Sequence, residues 1–319
     1  MNGLGKAPAS WQEIDESADG QRIDNYLRRL LKGVPASHVY RILRSGEVRV
    51  NSRRIDATYR LKAGDRVRVP PVRVAPGRAP AAPAHERFAA HVLHEDDGLI
   101  VLDKPAGWAV HGGSGIALGV VEQLRRERPQ ARFLELVHRL DRDTSGVLLL
   151  AKKRSALTAL HAQLRAGRVR KFYWVLAHGR WQHGRRHVEL ALDKYVLASG
   201  ERRVGVNAEG RAAHTVFSLL EHYGEFSLLE AELKTGRTHQ IRVHLAHLGF
   251  PIAGDDKYGD FALNRELARQ GLKRMFLHAR RTIYLDPLTQ ESITVEAPLA
   301  PELEAFLARL NPSGRARAG

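Results

Sequence analysis

The sequence predicts an α+β protein built of two unequal parts, and three observations carry that expectation. Apolar runs of strand length mix with segments of helical spacing, without the regular alternation of a doubly wound or barrel fold. A strongly basic stretch lies near the N-terminus, and a proline-rich break follows it. With 319 residues, 43% of them hydrophobic, there is ample apolar surface for one small and one larger core.

The first twenty residues contain no apolar core, and Met1–Ser10 is rich in Gly, Ala and Pro, so this end is expected to be flexible and is no signal peptide. Tyr26, Leu27, Leu30 and Leu31 then fall at helical spacing over residues 24–32, with Gly33 as a stop. A second helix is expected from about Ser37 to Arg44, with Val39, Ile42 and Leu43 inward and Arg41 and Arg44 on or near the outer side. Glu47–Val50 and Arg66–Val69 alternate like short strands, and Asn51-Ser52 reads as a turn. Residues 74–86 hold three prolines and little that could enter a core, and read as a semi-rigid linker.

The larger part, 87–312, carries apolar runs at Leu99–Leu102 and Gly146–Ala151 that suit buried strands. Ser155 is placed to cap a helix bearing Leu157, Leu160 and Leu164, which Gly167 would end. Further strands are expected at Lys171–Ala177, Phe226–Leu233 and Gln240–His244. In the last of these, Ile241 and Val243 would face the core while Gln240, Arg242 and His244 face a cleft. The Pro/Gly/Arg-rich tail, 313–319, is expected to fray.

Composition narrows the chemistry. The chain has no cysteine, which removes disulfides, thiolate nucleophiles and sulfur-ligated zinc, and suits a reducing cytosol. No apolar run approaches the length of a membrane span. The net charge of +16 points to a polyanion as partner. Between Gln21 and Arg73 there are 14 Lys/Arg against 4 Asp/Glu, so ten of the sixteen net charges sit in a sixth of the chain, as a binding surface would require. No phosphate-loop spacing is present, so nucleotide hydrolysis is not indicated.

Candidate reactive groups concentrate in His138-Arg-Leu-Asp-Arg-Asp-Thr-Ser-Gly146, a charged loop emptying into a buried strand. On charge and position alone, Asp141 and Asp143 are equivalent. His239, His244 and His247 lie close in sequence but lack the His-Glu-x-x-His spacing or a companion carboxylate, and read as structural histidines with no metal.

The segment 138–146 is identified as the signature of the RNA pseudouridine synthases of the ribosomal large subunit type. Lys104-Pro-Ala-Gly107, Lys171-Phe-Tyr173 and Gly236-Arg-Thr-His-Gln-Ile-Arg-Val-His244 fall in that family's order, and Ala109–Gly115 and Phe133–Val137 are most similar to its members acting on 23S ribosomal RNA. Arg22-Ile-Asp-Asn-Tyr-Leu27 and Ser45-Gly-Glu-Val-Arg-Val-Asn51 resemble an S4 RNA-binding domain over 21–73. The resemblance implies a mixed, mainly antiparallel sheet with flanking helices and a central RNA-binding cleft. It implies that Asp141, not Asp143, is catalytic, that Arg242 pairs with it, and that Ile241 is its apolar neighbour. Tyr173 would stack near the target base, Arg139 would help displace the flipped nucleotide, and Arg41 and Arg44 would contact phosphates.

These roles suit the chemistry. Isomerising uridine breaks the C1′–N1 bond, turns the uracil and rejoins it through C5, on a nucleotide that must leave its helix. One carboxylate suffices as nucleophile or base, and a neighbouring cation keeps it ionised when substrate covers it. The expected protein is a cytoplasmic, monomeric isomerase of 23S ribosomal RNA that needs neither metal nor organic cofactor. A non-catalytic RNA-binding protein and a metal-dependent hydrolase using the histidines stand as alternatives.

Overall fold

A computed structural model describes residues 9–31, 34, 36–72, 88–112, 118–197 and 201–310. The chain divides into two compact units, Met1–Ala84 and His85–Gly319. The expected linker at 74–86 and the frayed tail at 313–319 lie outside the described residues.

In the first unit, strand β1 (Ser10–Glu13) precedes helices α1 (Ile23–Leu30) and α2 (Ala36–Arg44), then β2 (Arg49–Val50), β3 (Arg53–Arg54) and β4 (Arg66–Val69). The four strands form one antiparallel sheet in the order β1-β4-β2-β3. Ser10–Glu13, inside the segment expected to be flexible, is thus an edge strand with Trp11 opposite Arg68. Asn51 and Ser52 both take positive φ, 49° and 66°, the twist that a two-residue hairpin between β2 and β3 needs. Val39, Ile42 and Leu43 of α2 bury with Ile23 and Leu27 of α1 against Val50, Val67 and Val69 of the sheet. Arg41 and Arg44 are exposed on the other side of α2.

The second unit opens with β5 (Val92–Glu95), β6 (Leu99–Lys104), α3 (Val120–Glu127), β7 (Glu135–Leu136), β8 (Ser145–Ala151) and α4 (Arg154–Arg165). Strands β9 (Arg170–His178), β10 (Arg185–Glu189), β11 (Leu192–Val196), β12 (Arg202–Val206), β13 (His214–Tyr223) and β14 (Phe226–Leu233) follow. The chain closes with α5 (Gln240–His247), α6 (Phe261–Arg269), β15 (Leu277–Leu285), β16 (Ser292–Glu296) and α7 (Pro301–Arg309). Ten strands make one mixed sheet whose main path runs β10-β13-β14-β9-β15-β8-β6-β5, while β11 and β12 pair separately. Every pairing is antiparallel except β8 with β15.

Central strands are apolar on both faces, because helices and loops cover both. Ile100, Leu102, Leu148 and Leu150 enter one core, and Leu99, Val101, Leu149 and Ala151 enter the other. Two local expectations are corrected. Helix α4 begins after Lys153, so Ser155 lies inside the first turn and is not its cap. Gln240–His244 is helical rather than extended. Five residues are too few to separate period 2 from period 3.6, and Gln240 to Leu245 are all buried, so no solvent face marks the helix.

Gly146 explains itself at the β8–β15 junction. Its φ is +105°, and a Cβ placed there would overlap the Ala279 carbonyl oxygen. Gly146→Ala is expected to destabilise the second unit by about 2–4 kcal/mol through backbone strain and separation of the two strands, read as a lower urea midpoint with unchanged slope.

Candidate active site

The loop between β7 and β8 carries Asp141, and its backbone is held from β6. Lys104, fully buried at the end of β6, donates from Nζ to the carbonyls of Pro105, Trp108 and Arg142 at 2.8, 2.8 and 3.0 Å. The Gly107 amide donates to the same Arg142 carbonyl at 2.9 Å, and Thr144 N closes the turn onto the Asp141 carbonyl. Burial, with the Arg274 charge nearby, pushes the Lys104 pKa down to about 7. Lys104-Pro-Ala-Gly107 therefore braces the signature loop. His138 accepts the Leu149 amide proton at Nε2, and burial lowers its pKa to about 3, so this ring is a neutral strut.

Asp141 faces an open cleft of about 610 Å³, within the range of small-ligand pockets. Arg139, Tyr173, Ile241 and Arg242 line the same cleft, so all five expected catalytic-unit residues are brought together from a loop, a strand and a helix. Tyr173, on β9, is buried with its ring against the core, and burial followed by the Asp141 charge raises its pKa well above the ordinary phenol. Lys171, two residues earlier on the same strand face, also lines the cleft, and burial lowers its pKa.

Arg242 does reach Asp141, with Nη1 3.4 Å from Oδ2. Its stronger partner is one that the sequence reading missed. Nε and Nη2 each donate to the Asp255 carboxylate at 2.7 Å, and both side chains are almost fully buried. Burial opposes the guanidinium charge, but the bonds and charge of Asp255, then Asp141, outweigh it and hold its pKa above the usual arginine range. Asp255 stays below the ordinary carboxylate range for the reciprocal reason, since Arg242 and the Tyr258 and Lys257 amides offset its burial. Gly254-Asp-Asp-Lys-Tyr-Gly259 gave only the signal of a Gly/Asp turn.

His239 is the second residue missed here. It precedes α5 in the left-handed region at φ 54°, an uncommon conformation for histidine and one that collects at functional sites. Its Nδ1 is 2.8 Å from the Tyr258 hydroxyl and its Nε2 is 3.9 Å from Asp141 Oδ2. Burial lowers its pKa despite the Asp141 charge. His244 is structural: Nδ1 meets Thr215 Oγ1 at 3.0 Å and Nε2 meets the Leu190 carbonyl at 3.1 Å. Among the described residues the grouping of donor atoms that could hold a metal is His187, Glu189 and His214, on β10 and β13, none of which lines the cleft. In the first unit, Arg41 contacts Glu47 at 3.5 Å and His38 at 3.2 Å, both exposed.

A mixed central sheet thus brings an aspartate, an arginine and a tyrosine to one cleft, and comparison with known proteins gives the class of RNA-modifying enzyme to which this architecture belongs. Residues 98–247 match the RNA pseudouridylate synthase family and residues 21–67 match the S4 domain. The chain is 54% identical over 297 residues to ribosomal large subunit pseudouridine synthase C of Escherichia coli strain K12, covering 91% of this chain and 93% of that protein. The synthase C of Haemophilus influenzae is 52% identical over 304 residues, covering 94% of each. Two solved structures share the fold: human RNA pseudouridylate synthase domain containing 4, with TM-score 0.58 and 25% identity over 71% of this chain and 95% of that one, and domain containing 1, with TM-score 0.57 and 27% identity over 70% and 88%. The chain belongs to the RNA pseudouridylate synthase family.

The neutral histidines make a pH prediction. His138, held to about pKa 3, and His278, lowered to about 4 by burial against the opposing Ala297 carbonyl bond, take up protons near pH 6.5 only once unfolded. The unfolded chain then binds more protons below pH 6.5, so stability must fall as pH drops from 7 towards 5. The expected loss is about 2 kcal/mol or less for each histidine, read by urea unfolding, and a flat profile would contradict the assignment.

Proposed function

We propose that this protein isomerises specific uridines to pseudouridine in 23S ribosomal RNA, with Asp141 as the catalytic group. The observation carrying this reading is the Asp141 carboxylate in the cleft: Arg242 and His239 approach Oδ2, and among the described residues nothing is bonded to Oδ1. One oxygen thus faces the Arg242 guanidinium and the His239 ring while the other is left for substrate.

The target nucleotide leaves its stack to enter the cleft, at a cost of a few kcal/mol. Tyr173 offers a ring face for the flipped base, and Ile241 an apolar wall. Arg139 occupies the space vacated in the RNA. Either Asp141 attacks C1′ as the C1′–N1 bond breaks, and C5 of the turned uracil displaces it by bonding to C1′; or Asp141 removes a sugar proton as that bond breaks and returns it when C5 bonds to C1′. In both routes the C5 proton then leaves to a base and N1 takes one up, so no proton is gained or lost overall. Substrate and product are isomers, so the reaction needs no net oxidant or reductant. Arg242 stabilises the carboxylate in its ionised form, before the attack and after its release. Arg41 and Arg44 on α2 of the S4 unit contact phosphates, which position the RNA without reading its sequence. The chain works as a monomer in the cytoplasm, where its RNA is made.

Asp141→Asn is expected to cut tritium release from RNA labelled at uridine C5 by about 10³-fold or more, with RNA affinity nearly unchanged. Release at the wild-type rate would overturn the assignment. Removing residues 1–86 is expected to leave a folded catalytic unit that binds RNA more weakly, with a shallower salt dependence because phosphate contacts are lost. An unchanged salt slope would remove the S4 unit from the RNA interface.

A further inference from the structure

The Asp255–Arg242 pair is costly to bury, and the reaction as outlined does not use it. Two ions taken out of water at this depth return little net stability against apolar residues of the same volume. Its geometry suggests what it is for. A free guanidinium beside a carboxylate closes on it bidentately, with two parallel N–H···O bonds. Such a clamp on Asp141 would engage both of its oxygens, including the one that the chemistry needs.

Asp255 takes the clamp instead. Its two oxygens accept from Nε and Nη2 of Arg242 at 2.7 Å each. Nη1 is the nitrogen that Asp255 leaves over, and it meets a single oxygen of Asp141 at 3.4 Å, while Nη2 also lies 3.7 Å from Oδ1 of the exposed Asp256. Asp255 is itself immobilised, because Oδ1 also accepts the Lys257 and Tyr258 amides at 2.8 and 3.0 Å. Its backbone is fixed by Asn264, which donates from Nδ2 to the Asp255 carbonyl at 2.7 Å and accepts from Gly254 N at 2.8 Å. The Tyr258 ring closes the other side, with the Arg242 guanidinium 5.1 Å from its centroid. The same Tyr258 hydroxyl meets His239, so the turn 254–258 positions both the Arg242 guanidinium and the His239 ring that approach Asp141 Oδ2.

We propose that Asp255 is a positioning residue: by holding the fork of Arg242, it restricts that arginine to a one-point contact and keeps one oxygen of Asp141 free to react. This rests on the reading of Asp141 as the catalytic group. With Asp255→Asn the fork is released, and Arg242 either clamps Asp141 or swings away from it. Both outcomes slow the chemical step without touching RNA binding.

The test is single-turnover tritium release with saturating enzyme over RNA, whose rate does not depend on the folded fraction, alongside RNA affinity. Asp255→Asn is expected to slow the step by about ten- to a hundredfold, as displaced reacting groups do, with affinity within about twofold of wild type. Asn264→Ala loosens the same turn but leaves the Asp255 carboxylate in place; it is expected to lower the melting temperature and to slow the single-turnover rate far less than Asp255→Asn does. A wild-type rate for Asp255→Asn overturns the proposal, as does an equal slowing by Asn264→Ala, which would mean that only the integrity of the turn matters. Should Asp255→Asn yield no folded protein, Asp255→Glu carries the test: it keeps the charge but shifts it by a methylene, so slowing with intact affinity supports the proposal and a wild-type rate overturns it. Asp141→Asn run in parallel separates the two ideas. If it retains activity, the catalytic assignment fails; if it is inactive while Asp255→Asn is normal, only the positioning role fails.

Discussion

One guanidinium divided between two carboxylates organises the cleft. Arg242 gives its two short bonds to Asp255 and a long one to Asp141; Arg242 and Asp255 lie almost out of solvent, while Asp141 keeps 19% of its side chain exposed to the cleft. Burying a carboxylate without a cation would drive it neutral, and burying an arginine with only one distant partner would leave its donors unsatisfied. Sharing satisfies both demands and leaves one oxygen of Asp141 open. The left-handed His239, the turn 254–258 and the burial of Gln240–Leu245 in α5 together bring this arginine in from a short helix.

The scaffold supplies the opposing rigidity. Lys104 and Gly107 fix the signature loop through the Arg142 carbonyl, and Gly146 lets β8 turn directly from that loop into its pairing with β15. A reactive side chain on a loop is useful only when the loop backbone cannot drift. Here the restraint comes from a fully buried ammonium with three carbonyl acceptors rather than from apolar packing.

Much of this was legible in the sequence. Leu99–Leu102, Gly146–Ala151 and Phe226–Leu233 read as strands because short, largely apolar runs of this length suit buried strands. Asp141, Tyr173 and Arg242 were legible through a long motif, not through charge, which left Asp141 and Asp143 indistinguishable. What escaped notice were groups whose role depends on distant partners. Asp255 looks like a turn residue until α5 is placed beside it. His239 looks like one histidine among sixteen until its strained backbone aims it at Asp141. The helix at Gln240–His247 was misread because burial on every side erases the amphipathic stripe that identifies a helix.

The β8–β15 pairing carries one more consequence. It joins only two residues of each strand, yet it brings together Ser145 and His278, 133 positions apart. Closure of so long a loop comes late in folding. Because β15 lies between β8 and β9, the halves of the sheet bearing Asp141 and Tyr173 are joined only once that strand is in place. The basic N-terminal module is complete in the chain once β4 is made, whereas the sheet that joins the Asp141 loop to Tyr173 waits for β15, about two hundred residues later.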